Sequence, residues 1–190
     1  MLNNQDYQDK TDEELVILAL ENQGNFLYLI KRYENKLMRY IIRISSFDEE
    51  KTRDVLQDIF IKVYQNLNNF DLDLKFSSWI YRIAHNQVIS EYRKDLARPE
   101  YTPGEENEEM LLNIKSNLDI ENDIDLDILR KNIFQVLSKL DLKYREVLIL
   151  KFLEEKDYKE ISDILKKPMG TVGTLINRAK IQFKKIYEEK

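Results

Sequence analysis

Helix breakers are scarce in this chain and crowded into one place. Its 190 residues hold four glycines and three prolines, and Pro99, Pro103 and Gly104 fall within six residues of one another. On either side Leu, Ile, Lys and Glu dominate, and apolar residues recur at three- and four-residue steps, the period of an amphipathic helix. No alternating apolar run of strand length competes. The sequence therefore predicts an all-α fold of two small helical domains, residues 1–96 and 127–190, joined by a flexible acidic linker over 97–126.

The individual helices can be placed. Thr11 followed by Glu14 makes a capping box for a first helix. After Gly24, the residues Phe26, Leu27, Ile30, Leu37, Ile41 and Ile44 stripe a second. A third spans about Glu49 to Leu67 with Val55, Ile59, Val63 and Leu67 on one face. A fourth runs from about Phe76 to Leu96 with Phe76, Ile80, Ile83 and Val88 inward. Beyond the linker come Leu126, Leu129, Ile133, Val136, Leu137 and Leu140, then Val147 to Phe152, then two short helices.

Composition removes whole classes of chemistry. Without cysteine there is no disulfide, thiolate zinc site, iron–sulfur cluster or Cys nucleophile. The single His85 cannot build a His-rich metal site, and neither a Rossmann nor a Walker glycine pattern occurs. No apolar run reaches membrane-span length and the amino terminus lacks a signal-peptide pattern. The expectation is a soluble, cytoplasmic protein with no catalytic residues, cofactor, metal or membrane segment of its own.

Charge is unevenly spread. Formal net charge is −5, yet Pro99 to Asp127 carries ten acids and one base, so the rest of the chain is positive. Lys166 to Lys190 has seven bases and two acids, and Lys75 to Arg98 has five bases and two acids. The acidic run reads as a solvated spacer. The two basic segments keep polyanion binding open, because local charge sets the field a phosphate meets.

One basic segment has the shape of a helix-turn-helix. A short amphipathic helix ends at Leu165, a basic turn with Lys166 and Lys167 follows, and Pro168 suits the first turn of the next helix. There Val172, Ile176, Ala179, Phe183 and Ile186 face inward, leaving Thr171, Thr174, Asn177 and Arg178 outward. Small polar groups near a helix start, with cations such as Lys180 towards its end, can read base edges and hold phosphates. An ordinary helical hairpin would show the same periodicity.

The other basic segment, Phe70 to Asn86, reads FDLDLKFSSWIYRIAHN. Phe76, Trp79, Ile80 and Ile83 have core spacing. Tyr81, Arg82, His85 and Asn86 lie on a different face, ahead of Arg93, Lys94 and Arg98. Rings and amides beside cations are what single-stranded DNA requires. Upstream, Asp54 and Asp58 flank Gln57 one turn apart; paired carboxylates can ligate a hard metal, but an exposed polar face, solvated or docking a partner, is the better reading.

Together these pieces resemble the bacterial RNA polymerase sigma factors of the sigma-70 family, extracytoplasmic-function (ECF) type. Asp54-Val55-Leu56-Gln57-Asp58-Ile59-Phe60, with Tyr64 and Phe70, is similar to the core-polymerase-binding helix. Phe76 to Asn86 is similar to the promoter-melting segment. Tyr144 to Leu148, Tyr158 to Ile161, Gly170-Thr171-Val172 and Arg178-Ala179-Lys180 resemble the signature of the second domain. The order and gaps fit the family over nearly the whole chain.

The resemblance implies roles residue by residue. Asp54, Gln57 and Asp58 would bind core polymerase. Phe70, Lys75, Ser78, Tyr81, Arg82 and Asn86 would engage the −10 element and its opened strand. Lys167, Thr171, Thr174, Asn177, Arg178 and Lys180 would lie at the −35 element. The acidic linker would thread towards the polymerase channels, and an anti-sigma factor is an implied partner beside core polymerase and promoter DNA. Two positions depart from the family. Gly173 stands where a base usually follows the Gly-Thr-Val triplet, and Leu175 where Arg is common. Two other readings stay open: an autonomous helix-turn-helix regulator with a sensing or dimerising N-terminal domain, and a metal-dependent nucleic-acid enzyme built on Asp54 and Asp58.

Overall fold

The computed structural model describes residues 7–45, 47–97 and 124–189. Most of the expected linker and Arg98 lie outside them. Every regular element among the described residues is helical, and no helix there is long and apolar enough to cross a membrane. Contacts group the chain into two compact units, Met1–Ile41 with Glu50–Tyr101 and Ile42–Glu49 with Thr102–Lys190.

In the first unit, α1 (Asp12–Glu21) starts at the Thr11 capping box. The Thr11 backbone N–H donates to Glu14 Oε2 at 2.7 Å, and the Glu14 N–H donates to Thr11 Oγ1 at 3.2 Å. Asn22 ends the helix, and its side chain accepts the Gly24 N–H at 2.9 Å in a short 3-10 turn before α2 (Phe26–Ser45), which belongs to this unit as far as Ile41. Leu27, placed in the inward stripe of α2 by its spacing, is exposed. Tyr28, Leu29, Tyr33 and Tyr40 are buried instead. The inward arc is thus rotated and wider than the Leu and Ile positions suggest, because tyrosines supply much of its apolar area.

Helix α2 is tied to α1 by polar groups as well. Arg32 reaches Asp12 at 2.9 Å and the Tyr7 carbonyl at 2.6 Å, while the Tyr33 hydroxyl donates to the other Asp12 oxygen. Burial, followed by the neighbouring Asp12 charge, pushes the Tyr33 phenol far above its ordinary range, so it stays a donor.

Helices α3 (Glu49–Asn66) and α4 (Phe76–Leu96) complete the unit. Val55, Ile59, Val63 and Leu67 on one side and Phe76, Ile80, Ala84 and Val88 on the other are buried, whereas Ile83 is only half-buried. Apart from Ala84, each of these buried side chains contributes about 1.5–3 kcal/mol.

At the far end of α4, Glu91 accepts from Lys94 at 2.7 Å and from Lys51 of α3 at 3.1 Å. The Lys94 hydrogen bond, opposed by burial and aided by Lys51, holds the Glu91 carboxyl below the ordinary 4.5. A depressed carboxyl contributes stability above its unfolded pKa and loses it as pH falls through the folded value. Melting scans from neutral pH down through 4.5 should therefore show a shallower acid limb for Glu91→Gln than for the parent; parallel limbs would mean the contact adds nothing.

The second unit holds α5 (Ile124–Lys139), α6 (Leu142–Leu148) running into a π-helical turn at Ile149–Leu153, α7 (Tyr158–Leu165) and α8 (Met169–Glu188). Helix α5 begins inside the stretch expected to be linker. Helix α8, expected to be short, spans 20 residues. Its core contribution comes from Val172, Ile176 and Ala179, which are buried with Val136, Leu140, Val147, Leu150, Ile161 and Ile164. Leu129 and Phe152, counted with the apolar pattern, are exposed.

The guanidinium of Arg145, itself buried, terminates α5. It donates from Nε to the Leu137 carbonyl at 2.9 Å and from Nη2 to those of Ser138 and Leu140 at 2.7 and 3.3 Å. The Leu137 carbonyl also accepts the Leu140 N–H at 3.2 Å, so the guanidinium is its second donor, while it supplies Ser138 and Leu140 at a helix end that leaves its last carbonyls short of donors.

Candidate nucleic-acid interface

The turn between α7 and α8 is built by side chains that hold its backbone. Asp157 and Glu160 form a capping box at the start of α7, with bonds of 2.7 and 2.9 Å. At the other end Lys166 takes the left-handed conformation (φ 53°), and the Ser162 hydroxyl donates to the Lys167 carbonyl at 2.6 Å. Pro168 immediately precedes α8 as its cap rather than sitting inside the first turn. A Cβ in the left-handed region is strained, so Lys166→Gly should raise unfolding stability by about 0.5–1 kcal/mol. A lowered midpoint in urea would count against that strain.

On α8, Thr171, Thr174, Asn177 and Arg178 are exposed. The Thr174 hydroxyl donates to the Gly170 carbonyl at 2.9 Å, leaving its lone pairs as acceptors. Lys167 is half-buried at the turn. Lys180 stands apart from the others: its ammonium lies over the Phe152 ring at 5.2 Å. At about 100° per residue it points away from the face that carries Thr171, Thr174 and Arg178. A Cβ at Gly170 would meet open space and one at Gly173 only ordinary contact with Tyr158 at 3.6 Å. Neither glycine has a positive φ. Packing and backbone geometry therefore do not demand glycine at Gly173, the position where the resemblance expects a base.

The second strip lies on α4 and the loop before it. Asp71 organises the loop: its side chain accepts the Asp73 N–H at 3.0 Å and its carbonyl accepts the Leu74 N–H at 3.0 Å. Lys75, at the cap position of α4, offers no side-chain cap. The cap arrives from α1, where Glu13 Oε1 accepts the Phe76 N–H at 2.9 Å. Lys75 and Asn86 are exposed and Arg82 half-buried. Steps of seven, four and seven from Lys75 through Arg82 and Asn86 to Arg93 bring all four onto one helical face, within about 40°. This is a cationic strip with one amide. Lys94 is drawn into the Glu91 pair.

Three residues expected to touch DNA are buried: Phe70, Ser78 and Tyr81. Phe70 meets Phe76 edge-on at 5.4 Å and tilts over Trp79 at 5.2 Å. Tyr81 packs on Tyr40 at 5.1 Å. The Ser78 hydroxyl is buried with no hydrogen-bond partner among the described residues. The spacing of Ser78 and Tyr81 is compatible with both faces of α4, and packing against α2 and the aromatic cluster decides it.

The third surface is the outer side of α3. Asp54, Gln57 and Asp58 are exposed, and Ile61 and Tyr64 continue the same face at three-residue steps. Ile61 was not visible as part of this surface from its type alone, although its spacing from Gln57 and Asp58 carries the signal. Asp58 Oδ2 accepts from the Gln87 amide at 3.1 Å, and Gln87 in turn accepts from Lys62. Among the described residues no three His, Cys, Asp or Glu side chains converge to hold a metal.

The sequence matches two family models, Sigma-70 region 2 over residues 29–98 and Sigma-70 region 4 over residues 130–183. It is 33% identical to the ECF RNA polymerase sigma factor SigW of Bacillus subtilis (strain 168) over 170 residues, 86% of this chain and 89% of that protein. It is 29% identical to the RNA polymerase sigma factor YlaC of the same organism, covering 83% of this chain and 88% of that one. The fold is similar to that of CnrH, solved in complex with the cytosolic domain of CnrY, with a TM-score of 0.70 at 24% identity, covering 95% of this chain and 99% of that chain. The α4 strip thus falls in the region 2 match and the α7–α8 turn in the region 4 match, and the chain belongs to the ECF sigma factors of the sigma-70 family.

Proposed function

We propose that this sigma factor holds core RNA polymerase through the outer face of α3 and reads its promoter through two separate strips, on α4 and α8. As a member of its family it directs RNA polymerase to promoters. In our reading Thr171, Thr174, Asn177 and Arg178 meet the −35 duplex, with Lys167 at the adjoining backbone and Lys180 outside the direct contact. Lys75, Arg82 and Asn86 engage the −10 element, while Phe70, Ser78 and Tyr81 shape the helix from beneath. The protein carries no catalysis of its own, works in the cytoplasm with the polymerase, and is held by an anti-sigma factor when idle.

The observation that carries this reading is the exposed Thr171, Thr174, Asn177 and Arg178 set on the second helix of a helix-turn-helix, within the stretch that matches region 4. Size-exclusion with core polymerase, without DNA, tests it: one-to-one co-elution is expected. Tight binding to promoter duplex with no association with active core would favour the autonomous regulator.

The assignments to α3 and α4 separate in a second assay. Replacing Gln57 and Asp58 together with Ala should weaken core binding by about tenfold or more, with the fold unchanged. Replacing Arg82 and Asn86 with Ala should retain core binding and reduce open-complex formation, read by permanganate reactivity of the melted strand. Normal opening by that double variant would remove both residues from the interface.

A further inference from the structure

Gln87 lies on α4, facing α3, and is buried. A buried carboxamide must find partners for its polar atoms or lose stability. Gln87 finds them on two exposed residues of α3 one turn apart. Its Nε2 donates to Asp58 Oδ2 at 3.1 Å and its Oε1 accepts from the Lys62 ammonium. The chemistry fixes the orientation. Reversal would set the amide oxygen against a carboxylate and the amide nitrogen against an ammonium.

Asp58 and Lys62 at this spacing would otherwise be free to pair directly along the helix surface. The inserted amide holds one carboxylate oxygen by a donor that comes from a rigid, packed helix. A side chain fixed before docking loses less rotamer freedom on binding. We propose that Gln87 is a positioning residue for polymerase docking, presenting the Asp58 carboxylate in its bound orientation. This rests on the docking role given to Asp58 above. Nothing in the residue type or spacing of Gln87 announces such a role; it follows from which atoms the buried amide meets.

The test is a double-mutant cycle on the affinity of the full chain for core polymerase, with folding followed by circular dichroism. Gln87→Met keeps the side-chain length and removes both hydrogen bonds. It should weaken binding by about three- to tenfold in the parent and by less than about twofold in an Asp58→Ala background. Gln87→Glu keeps an acceptor for Lys62 but faces Asp58 with a second carboxylate. It should weaken binding at least as much, and its deficit should also vanish with Asp58→Ala, so this arm reads out even if Gln87→Met folds poorly. Equal losses in both backgrounds, or full affinity in both Gln87 variants while Asp58→Ala alone weakens binding, would overturn the inference and leave the docking face intact. Full affinity in Asp58→Ala itself would remove the docking role of Asp58, and this inference with it.

Discussion

Replacing Arg145 with alanine is expected to destabilise the second unit by about 3–5 kcal/mol, the largest loss foreseen for any single polar side chain here. The guanidinium donates to the carbonyls of Leu137, Ser138 and Leu140 at the close of α5 and to that of Ile44, and its bonds to Leu137, Leu140 and Ile44 are buried; without it Leu137 still keeps the Leu140 N–H. Each buried acceptor left without a donor costs about 1–3 kcal/mol. Arg145→Lys should recover only part, because an ammonium on a flexible stem cannot reproduce a planar fork. Urea unfolding followed by circular dichroism checks both. An alanine variant within about 0.5 kcal/mol of the parent, the range of an ordinary surface substitution, would mean that water replaces the guanidinium without loss.

Phe76→Ala should cost a similar amount, about 3–5 kcal/mol, by a different mechanism. The ring is fully buried and meets Phe70, Trp79 and Tyr33 with centroids 5.4 to 5.6 Å away. Its removal leaves a cavity at the first turn of α4, beneath the strip assigned to the −10 element. Trp79 is the chain's one tryptophan, so its fluorescence reports the lesion directly. A red-shifted emission in the folded variant and a lower urea midpoint are expected. Phe76→Leu should sit between, since part of the volume is kept. An unchanged midpoint for the alanine variant would show that the cluster collapses without penalty.

What the sequence makes legible is set by how local each determinant is. The Thr11–Glu14 box, the four-residue steps of Val55, Ile59 and Val63 and the four- and three-residue steps of Val172, Ile176 and Ala179 depend only on neighbours along one helix, and the structure has them as the pattern predicts. The exposure of Leu27, with Tyr28 and Leu29 buried, depends on where α1 and the other helices pack against α2. No single-helix pattern contains that. The same holds for the proposed interface. Thr171, Thr174, Asn177 and Arg178 are exposed because the opposite face of α8 is so clearly apolar. Ser78 and Tyr81 lie on a helix with two apolar faces, and spacing alone does not say which one is covered; Phe70 precedes that helix, and its burial against Phe76 and Trp79 depends on the path of the loop. Arg145 and Gln87 are polar residues whose burial follows from partners on other helices. Their roles emerge only with the fold.

The bond from Glu13 to the Phe76 amide spans 63 residues. The ribosome delivers Glu13 long before the amide it will receive, and until Phe76 emerges that native bond cannot form. The first unit therefore cannot be finished from its beginning onwards: the last of its helices to emerge starts on an acceptor supplied by the first. Closing so long a loop delays the reward until the entropy has been spent. A nascent chain stalled anywhere before α4 holds an unfinished bundle, with its aromatic surface available to chaperones and proteases.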